Sequence, residues 1–359
     1  MKFFYYSLFF WTLAHFTQAQ TRNRSIKAVS GRPVKISELD KLITKTIDSL
    51  GIPGVAIGII NDAELVYHRT FGVANTETQA PVTHETLFEG ASLSKPLFAY
   101  FVMKMVEKGV IELDKPLFHY LPHPSIKDND ERYKLITARM VLGHTTGFPN
   151  WAHDKPMEIK FQPGTGFSYS GEAYQYLAAV IAVQHKTKWE AGLDSVFQQE
   201  VARPLQMQHT TYMEGNDYVR QHKARGHKKG KMTALDRPGK AFGAAYSLHT
   251  EVVDYAKFLI AMIQQEGLKK STFSEMLTEQ IHFSANDEIT QTGQTGWCLG
   301  FSIKPTPYGM RYLHTGNNHD FQAYCCFNKE KKYGLVFFTN CDKAFELYDK
   351  IGKYLDDEF

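Results

Sequence analysis

The residues of this chain best suited to chemistry lie in the stretch Glu89 to Met105, EGASLSKPLFAYFVMKM, where Ser92 precedes Lys95 by three positions at the mouth of an apolar helical pattern. Positions three apart share a helix face, so the two side chains would meet. A serine hydroxyl is a weak nucleophile until a base takes its proton. A lysine amine serves as that base only where burial or neighbouring positive charge disfavours its ammonium form. The first-turn amides add a field that favours negative charge developing at the serine. Read this way, the pair is a nucleophile with its base. Ser94, one residue before the lysine, would face away, and Pro96 suits a first turn. A bare Ser-x-x-Lys occurs by chance in many proteins, and Ser92 would serve equally well as a helix cap. The rest of the chain must decide.

Elements able to position such a pair are legible at both ends. ISELDKLITKTIDSLG, Ile36 to Gly51, has helical periodicity, with Ser37 as a candidate cap and Gly51 as its stop. PGVAIGII and AELVYHRTFGVAN read as strands joined by a turn at Asn61-Asp62. Near the C-terminus MRYLHTG, FQAYCCFN and KKYGLVFFTN read as three more strands. The last two are joined by the charged turn Lys329 to Lys332, and a helix follows through KAFELYDKIGKYL. Between Leu97 and about Met262 the apolar spacing is helical, and Thr250 is a candidate cap. Strands at both ends with helices between predict an α+β fold. In it an antiparallel sheet is built from both termini and flanked by helices, with a helical region inserted.

The 359 residues carry 41 basic and 38 acidic side chains, a net charge of +3, which gives no field suited to nucleic acid. The basic stretch Arg220 to Lys240 follows no helical stripe and reads as a solvated loop or hairpin. The first residues, MKFFYYSLFFWTLAHFTQAQ, have a basic start, an apolar core and small residues before a cut. They read as a secretory leader over residues 1–19, too short in its apolar part to span a bilayer comfortably. A periplasmic or secreted protein with no stable membrane span would result. Cys298, Cys325, Cys326 and Cys341 fit no zinc spacing. Buried free thiols are the simplest reading, although export permits a disulfide.

Context for the serine comes from HTTGFPN, FQPGTGFSYSGEAY and YLHTGNNHDF. With SLSK, these make the chain resemble the serine beta-lactamase and penicillin-binding-protein superfamily, on the branch of class C beta-lactamases, D-amino-acid peptidases and related esterases. The resemblance runs from about Ile36 to the last helix and takes in PGVAIGII and the Gly296 to Phe301 stretch. It implies one serine hydrolase domain over residues 30–356. The α/β part would cover about 30–96 and 263–356, and the mostly helical part about 97–262.

By that resemblance Ser92 is the acylated nucleophile and Lys95 its partner. Tyr169 is the tyrosine of a Tyr-x-Asn element, and His314-Thr315-Gly316 stands where relatives carry Lys-Thr-Gly or His-Thr-Gly. The backbone N–H groups of Ser92 and Asn317 would form the oxyanion hole. Tyr169, on a loop after the Pro163-Gly164 turn, would relay a proton, and either it or Lys95 would be the base. His314 would assist binding or the relay, and Gly316 would let a substrate backbone approach the strand. His144 would hold its loop through its ring.

Two departures bear on substrate. Gly171 stands where the family carries asparagine, removing a side-chain amide worth roughly 1–3 kcal/mol to a substrate that needs it. Tyr246, in Ala245 to Leu248, replaces small residues and would line or narrow the site. The resemblance therefore implies acyl transfer on a small ester, D-amino-acid peptide or beta-lactam, with ester or peptide hydrolysis first and beta-lactam hydrolysis second. The alternative is a penicillin-binding or non-catalytic cell-envelope binding protein. No cofactor, metal or particular oligomeric state is implied.

Overall fold

The computed structural model describes residues 25–215, 217–233, 241–285 and 287–357. The expected leader and the end of the basic stretch lie outside them. Within them, nine antiparallel strands form one sheet. Its order is Ile281–His282, Gly296–Trp297, Ser302–Thr306, Gly309–Asn317, Gln322–Asn328, Tyr333–Thr339, Gly54–Asn61, Glu64–Asn75 and Ala80–Pro81. The two chain ends meet where Tyr333–Thr339 pairs with Gly54–Asn61, Val336 opposite Gly58. This is the α+β, beta-lactamase/transpeptidase-like architecture.

Every residue of those two central strands is buried, because both faces of the sheet are covered. Val55, Ile57 and Ile59 point to a core shared with the helices Ile36–Leu50 and Ala344–Tyr354. Ala56 and Ile60, one residue out of phase, point to the other core, which includes the helix Val252–Gln264 and the helices of the middle of the chain. The first helix ends on Gly51 in the left-handed region (φ 63°), as its sequence suggests. No helix among the described residues is long and apolar enough to cross a membrane.

Three local expectations need correcting. Ser37 does not cap the first helix. Lys35 holds the cap position without a side-chain bond, and Ser37 falls inside the first turn. The hairpin turn is Asp62-Ala63, one residue later than expected, because these two adopt the positive φ that a two-residue loop demands. Thr250 ends a short strand, and Glu251 caps the following helix by accepting the N–H groups of Val253 and Asp254. All four cysteines are buried free thiols.

Candidate active site

The strand Phe88–Ala91 pairs with Leu248–Thr250 and delivers the chain to a turn at Ser92, after which the helix Ser94–Glu107 begins. Ala91 sits at φ 47°, a costly conformation for alanine at the junction where the strand turns into the helix. The first turn brings Lys95 beneath Ser92, with Nζ 3.2 Å from Ser92 Oγ and 2.9 Å from the carbonyl oxygen of Ala245. Lys95 is 1% exposed, and its nitrogen lies 4.5 Å from the centre of the Tyr169 ring. No carboxylate bonds to it among the described residues. Burial alone therefore lowers its pKa to about 7, so a substantial part of the amine is unprotonated at neutral pH. Ser94 is also buried. Its hydroxyl donates to the Ala91 carbonyl and accepts the Leu248 N–H at 3.1 Å, which makes it a backbone clamp.

Tyr169 reaches the same place from the loop before the helix Gly171–Gln184. Ser170 caps that helix through the Ala173 N–H (3.0 Å), while its own N–H donates to His144 Nδ1 (3.0 Å). The His144 ring lies over Tyr169, with centroids 4.3 Å apart, so His144 holds the loop and its phenol together. Burial raises the Tyr169 pKa, and interaction with the Ser92 hydroxyl pulls it back in part. The phenol therefore stays protonated at neutral pH.

His314 is 3% exposed, 6.1 Å from Tyr169 between ring centres, and packed edge-on to Trp297. Its Nδ1 must donate to the Thr315 carbonyl (2.7 Å), which leaves Nε2 as a bare acceptor, buried without a partner. Burial, and then the charge of Lys95, lower its pKa to about 3, so the ring is neutral.

Ser92, Tyr169, His314, Thr315 and Asn317 line one cleft of about 1060 Å³. A second, of about 590 Å³, shares Ser92 and Asn317 with it and is lined by Tyr246. The Ser92 backbone N–H has no acceptor among the described residues.

Two residues expected at the substrate make close approaches within the chain itself. Gly316 lines neither cleft. A Cβ there would stand 2.5 Å from the Gly90 carbonyl oxygen, so the close approach it permits is to the strand carrying Ser92. Gly171 lines neither cleft either, because Trp151 fills the space where its side chain would go, 2.7 Å from an added Cβ.

Other contributions carry no residue-type signal or fall in unpatterned loops. The Ala245 carbonyl is one. Asn150 is another, with its Oδ1 accepting the Gly171 N–H at 3.0 Å. One side-chain group among the described residues, His209, Glu251 and Asp254, brings three metal-type donors together. It lies off both clefts and its carboxylates already cap a helix and bind Lys257.

The fold and the cleft beside Ser92 define the beta-lactamase/transpeptidase-like class. The family model described as Beta-lactamase matches residues 39–356, and the chain belongs to that family, within the superfamily of class C beta-lactamases, penicillin-binding proteins and esterases. This is a superfamily that includes serine hydrolases acting on ester and amide bonds. Protein flp of Staphylococcus aureus (strain MW2) is 22% identical over 330 residues, covering 86% of this chain and 64% of that protein. The chain thus spans just under two thirds of that relative's length. Esterase EstB of Burkholderia gladioli is 27% identical over 202 residues, 48% of this chain and 50% of the esterase. Among solved structures, the octameric penicillin-binding protein homologue from Pyrococcus abyssi superposes with a TM-score of 0.74 at 21% identity, over 90% of this chain and 78% of that one. D-alanine carboxypeptidase AmpC from Burkholderia cenocepacia gives 0.73 at 21% identity, over 89% and 99%.

Proposed function

We propose that the protein is an exported serine hydrolase that forms an acyl-enzyme on Ser92 from a small ester or a peptide-type amide. The observation that carries this reading is the 3.2 Å contact between Ser92 Oγ and a buried lysine nitrogen to which no carboxylate bonds among the described residues. With the amine unprotonated, Ser92 donates its proton to Lys95 Nζ as Oγ bonds to the acyl carbon. Backbone N–H groups of Ser92 and Asn317 take the oxyanion, where such donors act most strongly. The bond to the leaving oxygen or nitrogen then breaks, and that atom receives the proton from Lys95 through the Tyr169 hydroxyl. Water adds to the acyl carbon, its proton returns by the same route, and Ser92 departs protonated with release of the acid. Lys95 is the base in this scheme, because its pKa lies near 7 while that of Tyr169 is raised.

Beta-lactam hydrolysis is the second reading. It is favoured by Asn150, which lines both clefts and keeps its Nδ2 donors without a partner among the described residues beside the side-chain-less Gly171. Turnover of a short-chain nitrophenyl ester and of a chromogenic cephalosporin, each with wild type and Ser92→Ala, tests both. Ester hydrolysis abolished by the substitution supports the first reading, and turnover of the cephalosporin alone replaces it with the second. A wild type that neither hydrolyses nor is acylated by either compound favours a binding protein.

A further inference from the structure

The charge around the cleft bears on which acyl donors it accepts. The larger wing carries Asp287 and Glu288, and the smaller carries Asp154 and Glu172, so carboxylates flank Ser92 on both sides. Among the described residues no lysine or arginine lines either wing, and none pairs with any of these four side chains. Asp287 accepts the Ser284 N–H (2.7 Å) and Glu172 the Ala152 N–H (2.8 Å), which holds two of the carboxylates in place without neutralising them. Lys304, which donates to the Thr292 carbonyl (2.9 Å), does not line the cleft.

A second observation points the same way. The imidazole of His314 lines the larger wing with its N–H turned away to the Thr315 carbonyl and a buried, unpartnered lone pair left over on Nε2. A substrate carboxylate brought to that ring meets an acceptor where it needs a donor. An ammonium group, or a neutral N–H or O–H, meets a partner.

We propose that this site selects acyl donors without a carboxylate, taking an amine-bearing ester or amide ahead of a neutral one and a neutral one ahead of an anionic one. The inference rests on the reading of Ser92 as the acylated residue and adds its substrate class. For an assumed separation of about 8 Å between a bound charge and two carboxylates, the interaction in a water-like medium changes the rate roughly fivefold for each sign of charge. High salt removes most of that effect.

The test is a length-matched series: the 4-nitrophenyl esters of 6-aminohexanoate, hexanoate and adipate, with kcat/KM measured at low and high salt. The expected order at low salt is cationic, neutral, anionic, spread roughly 25-fold from end to end and converging at high salt. The pair of substitutions Asp287→Asn and Glu288→Gln, or Asp154→Asn and Glu172→Gln, narrows the spread. Hydrolysis in which the adipate ester matches or exceeds the hexanoate ester at low salt overturns the selectivity while leaving the hydrolase reading intact. No turnover and no acylation by any of the three overturns the hydrolase reading and this inference with it.

Discussion

Lys95→Met separates the two roles that the structure gives the lysine. Its pKa falls from an ordinary 10.5 to about 7 because the folded chain buries the ammonium form. The unfolded chain therefore binds more protons across that interval, and the stability contributed by this group is lowest at and below pH 7 and rises until about pH 10.5. At pH 7 the burial costs about 4 kcal/mol relative to a neutral group. Methionine fills a similar volume without the charge. It gives up two hydrogen bonds, to Ser92 Oγ and the Ala245 carbonyl, worth about 1 kcal/mol each. The variant should thus be about 2 kcal/mol more stable than wild type at pH 7. That advantage should shrink by roughly 1–2 kcal/mol by pH 8.5 as the wild-type amine sheds its proton. Paired urea titrations at the two pH values read this difference. The other titrating groups are common to both proteins, and His144 and His314, whose pKa values burial and then the Lys95 charge lower, are already neutral in the folded wild type over this interval. The same variant should lose acylation. A variant about 2 kcal/mol less stable than wild type at pH 7, or a gap that does not move with pH, would refute the placement of an uncompensated amine beside Ser92.

Other substitutions probe the surroundings. Tyr169→Phe keeps the ring on His144 and removes only the hydroxyl facing Ser92, so ester turnover should fall by about 10²–10⁴ while urea stability stays within about 1 kcal/mol. Gly316→Ala puts a methyl group 2.5 Å from the Gly90 carbonyl. It should cost about 1–3 kcal/mol in urea unfolding and depress kcat by shifting the strand that carries Ser92. Trp151→Ala combined with Gly171→Asn clears the indole and restores an amide at the helix start. The ratio of cephalosporin to ester turnover should rise about tenfold in spectrophotometric assays.

The parts of the site that announced themselves in sequence are those marked by residue type at a chain reversal. Ser92 and Lys95 stand where an apolar helix begins, Tyr169 follows a Pro-Gly turn, and His314 lies near the end of a strand, so each could be placed by its element. What stayed hidden is carried by backbone or by distant loops. The carbonyl of Ala245 holding Lys95 has no signature, since every residue offers one. Gly171 invites comparison with a missing asparagine, but only coordinates reveal that Trp151, twenty residues earlier in the chain, occupies the space. Gly316 signals close approach correctly while leaving the approaching partner unspecified, and that partner is the chain itself. The central strands Gly54–Asn61 and Tyr333–Thr339 are readable because both their faces are buried and mostly apolar. The misplaced caps at Ser37 and Thr250 reflect side chains that match a cap by type while the backbone begins its helix one or two residues away.

The most direct measurement is the intact mass of the protein quenched in acid during reaction with a short-chain nitrophenyl ester, followed by peptide mapping. An added acyl mass on the peptide holding Ser92, absent from Ser92→Ala, is the predicted outcome. An adduct that persists in Ser92→Ala, or that maps to Ser94 or to any other residue, would contradict the account.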